Sequence, residues 1–355
     1  MIPLLVPDLP TTEELLPWLK CIDNNKWYSN FGPLVQKFES ELTDLLDSNL
    51  TTVNSGTSAL ELSLLALELP IGSKVLLPAF TFPATVTSVK YIGLQPVFTD
   101  IDPNTWLLTP NIARQILDKI AYNVVIPVTT FGHPQPADEW DQFSKDTNVT
   151  VLIDAASSFG NQPIGKHCIT TFSLHATKAF GIGEGGLIVA NSAEFIQQVR
   201  ILSNFGFENG IIVKSGSNAK LSEYHAAVGL AQLKRWEQIV QKREIIWDIY
   251  QKYLIKSTLQ SMPENHIPAI LSVKIKGDIP ILANKQIKTR RWYYPPLYKH
   301  PAFTDIVKIS PQKNDYLPIT ENLSLLGLPF HTSLTEEEIS YICNNLESDI
   351  TQKTH

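Results

Sequence analysis

"FSLHATKAFGIGEGG", residues 172–186, sets a single lysine, Lys178, between an apolar segment carrying Ser173 and His175 and a cluster of glycines. So many glycines do not suit a helix interior, and so apolar a stretch does not suit a surface loop. The glycines lead straight into the strand-like run "LIVAN". A dinucleotide fingerprint would instead follow a strand and open a helix, so "GIGEGG" is not read as one. Lys178 therefore stands just past the end of a strand pattern, "ITTFSLHA". In an open α/β sheet that is where ligands bind.

Outward from this point, short β-branched runs alternate with helical patterns. Strands are expected in "TTVNS", "KVLLPAF", "QPVFTD", "NVVIPVTTF", "VTVLIDAA", "ITTFSLHA" and "GGLIVAN", several of them apolar throughout, as in strands covered on both faces. Helices are expected near 57–69, 82–92, 109–120, 134–147 and 192–204. The alternation predicts an α/β fold with a large, mainly parallel seven-stranded sheet. From 221 to 254 helical periodicity is continuous, and beyond it come short strands, prolines and an amphipathic "TEEEISYICNNLES". The expected division is a large α/β domain with an N-terminal arm, 1–240, and a smaller C-terminal α+β domain, 241–355.

Composition narrows the function classes. Of 355 residues 43% are hydrophobic and 18% charged, enough for a large core. The net charge of −6 shows no basic stripe interleaved with aromatics, so no nucleic acid is expected as a partner. Three scattered cysteines suggest neither a disulfide framework nor a metal knuckle. No apolar run is long enough for a membrane span and the N-terminus has no basic leader, so the chain reads as cytoplasmic, its sequons unused.

Two further strand ends carry chemistry. In "NSGTSALELSLLAL" (54–67) a strand gives way to a helix at Gly56, Thr57 and Ser58, whose N–H groups and hydroxyls suit a phosphate, although a plain helix cap reads the same way. "VLIDAASSFG" (151–160) ends a buried strand on Asp154. A desolvated lysine can attack an aldehyde, an aspartate can complement a pyridinium nitrogen, and a helix start can take a phosphate. Together the three describe pyridoxal 5'-phosphate (PLP).

The series "NSGTSAL", "PAFTFPAT", "PVFTDIDP", "IDAASSFG", "FSLHATK", "GEGG" and "SNAKLSEYHAAVGLAQL" resembles the DegT/DnrJ/EryC1/StrS family of sugar-nucleotide aminotransferases, fold type I PLP enzymes. It is similar in wording to members that aminate dTDP-4-keto-6-deoxyglucose at C4. The resemblance implies that Lys178 is the cofactor-bonding, proton-shuttling lysine and Asp154 the acid on the ring nitrogen. It implies that Phe82 stacks on the ring, and that Ser173 joins Thr57 and Ser58 on the phosphate. Asn218 would reach the phosphate in a neighbouring subunit, which implies a homodimer with shared sites. Ser157 stands where many members have Gln or His near the cofactor's 3'-oxygen, and is too short to make that contact unaided. His175, Lys220 (for the commoner arginine) and, in "RRWYYPPLYKHPAF", Tyr294 and Tyr298 (for the histidine of "PLH") are the substrate-side candidates. The implied reaction moves an amino group from glutamate to a nucleotide-linked 4-keto-6-deoxyhexose, feeding O-antigen or other glycan synthesis. Relatives acting at C3 and non-catalytic regulatory members are the alternatives; dehydratase members carry histidine in place of the lysine.

Overall fold

Side-chain alternation along the strands sorts two cores onto the two faces of one sheet. In the computed structural model, which describes residues 1–275, 282, 285–312 and 316–351, β1 is Leu50–Val53, β2 Lys74–Pro78, β3 Gln95–Thr99, β4 Val124–Val125, β5 Thr150–Asp154, β6 Ile169–Ser173 and β7 Gly186–Val189. Within β5, Val151 and Ile153 enter one core while Leu152 enters the other, as the period of two requires. The first core is covered by α1 (Thr12–Asn25), α2 (Pro33–Leu46), α5 (Pro110–Leu117), α6 (Ala137–Thr147) and the start of α8 (Glu223–Tyr253). The second lies under α3 (Gly56–Ala66), α4 (Pro83–Tyr91) and α7 (Ala193–Ser203).

All seven expected strands form, and their pairings from β6 through β5, β4 and β2 to β3 are parallel. Among the described residues only β7 runs against the rest, pairing antiparallel with both β6 and β1. The sheet nevertheless has eight strands among the described residues. After the antiparallel hairpin β8 (Phe207–Glu208) and β9 (Ile211–Ile212), and the small-sheet strands β10 (Ser272–Lys274) and β11 (Arg290–Trp292), β12 (Val307–Lys308) adds in parallel to the β3 edge. Two residues are too few to carry an alternating pattern, so this strand leaves no sequence signal.

The N-terminal region is more regular than an arm. The Thr11 hydroxyl accepts from the Glu14 N–H and the Glu14 carboxylate from the Thr11 N–H, a capping box that starts α1 ahead of Pro17. Gly32 precedes α2 without a side-chain cap. The cap comes instead from buried Glu223, which accepts from the Leu34 and Val35 N–H groups at 2.8 and 2.9 Å.

Helix α8 is 31 residues long and serves two cores. Ala226, Ala227 and Leu230 pack on the main sheet, whereas Ile246 and Tyr250 pack with Val273, Ile339, Ile342 and Leu346. That second group lies on the antiparallel sheet of β10, β13 (Leu325–Gly327) and β11 and on the C-terminal helix Glu336–Thr351. The chain between returns to the large sheet: Leu297, Phe303, Ile306 and Leu317 join the core under α3 and α4.

Candidate active site

Strand register brings the chemistry-bearing residues to one edge. Val53 at the end of β1 pairs with Gly186, and Gly186 pairs in turn with Ser173 at the end of β6. Asp154 at the end of β5 lies beside Thr171. Lys178 sits in the loop between β6 and β7, its N–H donating to the His175 carbonyl.

The first turn of α3 is pressed into this edge. A Cβ on Gly56 would lie 2.7 Å from Ser173 Cβ, and one on Gly186 would lie 2.2 Å from the Ser55 carbonyl oxygen. The glycines thus allow the helix to start against the strand ends. Ser55 caps the helix, accepting from the Ser58 N–H at 3.0 Å and sharing a 2.9 Å hydroxyl contact with Ser58. The Ala59 N–H goes to the Ser55 carbonyl, which leaves the Gly56 and Thr57 N–H groups, with the Thr57 and Ser173 hydroxyls alongside, for an anion.

Asp154 is buried. Its Oδ2 accepts from Thr85 Oγ1 at 2.7 Å and its Oδ1 from the Ala156 N–H at 3.2 Å. Thr81 and Thr85 hydroxyls meet at 2.9 Å, so Thr81 feeds the same chain. Burial raises the Asp154 pKa, and Thr85, Ala156 and the charge of Lys178 only partly oppose it. Burial lowers the pKa of Lys178, against the attraction of Asp154. The Lys178 Nζ donates to Ser157 Oγ at 3.2 Å.

The α4 cap, Phe82, is 52% exposed one turn before Thr85. An apolar ring left open beside a polar edge is a surface for a flat ligand. The notch of Gly56, Thr57 and Ser173, the open Phe82 ring, the buried Asp154 carboxylate and the desolvated Lys178 amine therefore fit the phosphate, ring face, ring nitrogen and aldehyde of PLP.

His175 flanks the lysine. Its Nδ1 accepts from Thr177, and Nε2 lies 3.6 Å from Glu184 in the glycine loop. Asn218 and Lys220 lie beside β1: Lys220 Nζ donates to Asn218 Oδ1 at 2.8 Å, and the intervening Ala219 carbonyl accepts from the Asn54 N–H. Lys220 also lies 4.8 Å over the Phe205 ring, and burial lowers its pKa.

The C-terminal candidates divide. Tyr294 is exposed under the Arg291 guanidinium, 4.0 Å from its ring centre. The Tyr298 hydroxyl donates to Glu321 and its ring packs on the second core, with no contact to the Lys178 group among the described residues. Their neighbour Tyr293 is the one that approaches. Its ring meets Phe80 and Phe131 at 5.0 and 5.8 Å, and burial and then the nearby Asp154 charge raise the phenol pKa. Sequence reading missed Tyr293, Thr85 and Ser55. Thr85 in "TFPAT" and the Ser55 cap were readable from helix-start spacing, whereas nothing in "YY" distinguishes Tyr293 from Tyr294.

A family model described as the DegT/DnrJ/EryC1/StrS aminotransferase family matches residues 11–347. The chain is 31% identical to a dTDP-4-amino-4,6-dideoxy-D-glucose transaminase of Shigella dysenteriae over 96% of both chains. It is 30% identical to a GDP-perosamine synthase of Escherichia coli O157:H7 over 94% of both. The crystal structure of DesI in the presence of its TDP-sugar product superposes with a TM-score of 0.83 at 27% identity, covering 98% of this chain and 93% of that one.

Proposed function

Because the chain belongs to the DegT/DnrJ/EryC1/StrS aminotransferase family, we propose that it uses PLP to move the amino group of glutamate onto a nucleotide-linked 4-keto-6-deoxyhexose. The single observation that carries the reading is the pairing, at one sheet edge, of a desolvated lysine amine with a buried carboxylate. The names of the two relatives, both concerned with 4-amino-4,6-dideoxy sugars or perosamine, support the substrate class.

When bound, PLP supplies an aldehyde that takes up the amino group and a ring that accepts the electron pair released from carbon. This chain's residues do the rest. Gly56 and Thr57 N–H groups and the Ser173 hydroxyl hold the phosphate, Phe82 covers one ring face, and Asp154 holds a proton on the ring nitrogen. The lowered pKa of Lys178 leaves more of its Nζ unprotonated near neutrality, as nucleophile and base. In each half-reaction that nitrogen would move a proton between the substrate carbon and the cofactor's aldehyde carbon, off the donor's α-carbon in the first and onto the sugar's C4 in the second, so its one-sided approach fixes the new stereocentre. Ser157 keeps it aimed between the two transfers.

A second copy of the chain completes the reading. Phe205, Phe207, Ile211, Ile212 and Val213 stand exposed on and beside the β8–β9 hairpin, close in sequence to Asn218. So many apolar side chains in one exposed place fit a protein interface, and a homodimer would carry Asn218 and Lys220 to the edge of a shared site.

The test is amine incorporation into dTDP-, UDP- and GDP-linked 4-ketosugars, followed by mass spectrometry with glutamate as donor, for wild type and Lys178→Ala. Incorporation by wild type alone supports the proposal. Equal incorporation by the variant, or none by wild type with any ketosugar, overturns it.

A further inference from the structure

Behind the Ser157–Lys178 bond lies a cavity of ≈ 230 Å3, whose walls include Ser157, Ala179, Trp236, Val240, Arg243 and Ala269. Its lining thus includes the residue that accepts the lysine amine's hydrogen bond and the residue that follows the lysine. Arg243 enters it from α8 and is only 9% exposed. Its Nη2 donates to the carbonyls of Pro268 and Ala269 at 2.8 and 3.2 Å, and its guanidinium carbon lies 4.8 Å from the Phe330 ring centre. Among the described residues no hydrogen bond takes Nη1 or Nε, and no carboxylate lies within ion-pair distance. The acid that it feels, Asp8, is itself bonded to Arg235 and Thr332.

A cation buried against carbonyls and an aromatic ring alone is costly unless a counter-charge arrives. Burial pulls this guanidinium down to about 10. The fork of a guanidinium matches a carboxylate or a phosphate, and a cavity of ≈ 230 Å3 suits a small amino-acid donor rather than a nucleotide diphosphate. We propose that Arg243 anchors a carboxylate of the amino donor in this cavity, beside the Lys178 amine. The proposal rests on the aminotransferase reading above and deepens it: the donor is an amino acid held by its acid group, and Arg243 acts in the donor half of the reaction only.

The experiment uses PLP-loaded full-length wild type, Arg243→Gln and Val240→Phe, the last filling the cavity without removing the guanidinium. Glutarate, an unreactive dicarboxylate, is titrated by calorimetry. Loss of the visible cofactor absorption is then followed against glutamate concentration without sugar. Finally, protein loaded with pyridoxamine phosphate is mixed with dTDP-4-keto-6-deoxyglucose.

Both variants are expected to weaken glutarate binding and raise the half-saturating glutamate concentration about thirtyfold, the range for a lost charge-assisted contact, while the acceptor half-reaction of Arg243→Gln holds. Wild-type glutarate affinity in both variants, or equal loss of both half-reactions in Arg243→Gln, overturns the anchor. If Arg243→Gln does not fold, wild type against Val240→Phe decides. Glutarate binding that needs Arg243 in a protein that aminates no ketosugar would sink the sugar assignment alone. Amination with a glutamate dependence untouched by either variant would sink the anchor alone.

Discussion

Lys178 Nζ donates to Ser157 Oγ at 3.2 Å, so this short side chain reaches the lysine directly. Losing a single hydrogen bond of this kind costs about 1 kcal/mol. Ser157→Ala is therefore expected to lower kcat/KM about fivefold while leaving the melting temperature and PLP stoichiometry unchanged, as steady-state kinetics and an absorbance titration would record.

Asp154 gives a pH signature. Its folded pKa is raised by burial above the ordinary carboxyl value, so its contribution to stability is fully present below about pH 4 and is lost as pH rises through the folded value. Without cofactor, Asp154→Asn is expected to melt above wild type at neutral pH, with the gap closing as pH falls toward 4. In the loaded enzyme the same change is expected to cost about a hundredfold or more in turnover. A melting gap independent of pH would contradict the assignment.

Both close-packed glycines face atoms that cannot rotate away. A methyl group at Gly56 meets Ser173 Cβ at 2.7 Å and its Cα at 3.0 Å, and one at Gly186 meets the Ser55 carbonyl oxygen at 2.2 Å. Gly56→Ala is expected to weaken PLP binding at least about tenfold and to lower stability by about 1–3 kcal/mol as well. Gly186→Ala is expected to cost about 1–3 kcal/mol in chemical denaturation, the usual range for overpacking.

Glu223 caps α2 from across the chain through two N–H groups and is 1% exposed. Glu223→Ala removes two charge-assisted bonds and is expected to destabilise by about 3 kcal/mol in urea unfolding. Glu223→Gln, which keeps one acceptor, should recover part of that.

If the exposed hairpin is covered by a second copy, Ile211→Lys combined with Ile212→Lys should shift the protein from dimer to monomer in sedimentation velocity. An unchanged dimer would move the interface elsewhere.

Much of this was legible because the chemical residues lie at strand boundaries. Asp154 and Ser173 end strands, Gly186 begins one and Lys178 follows in the loop after Ser173, all where an apolar run stops or starts, and strand register then brings these ends to one side of the sheet. The helices α1 and α2 were not legible, because Pro17 breaks the first pattern and the cap of the second comes from Glu223, far away in sequence. Tyr293 depends on how the segment 290–298 returns to the sheet, which no local pattern encodes. The cavity at Arg243 is likewise built from separate pieces of chain, and an arginine on a helix reads as surface until its neighbours are known.

Helix α8 carries no glycine or proline after Gly229, and its 31 residues make a rod of about 46 Å. It therefore behaves as a strut without a joint. Any swing of the C-terminal core toward the lysine has to be taken up where the chain passes between the two cores near 254–271, 290–297 and 317–325, so its range is set by the compliance of those crossings.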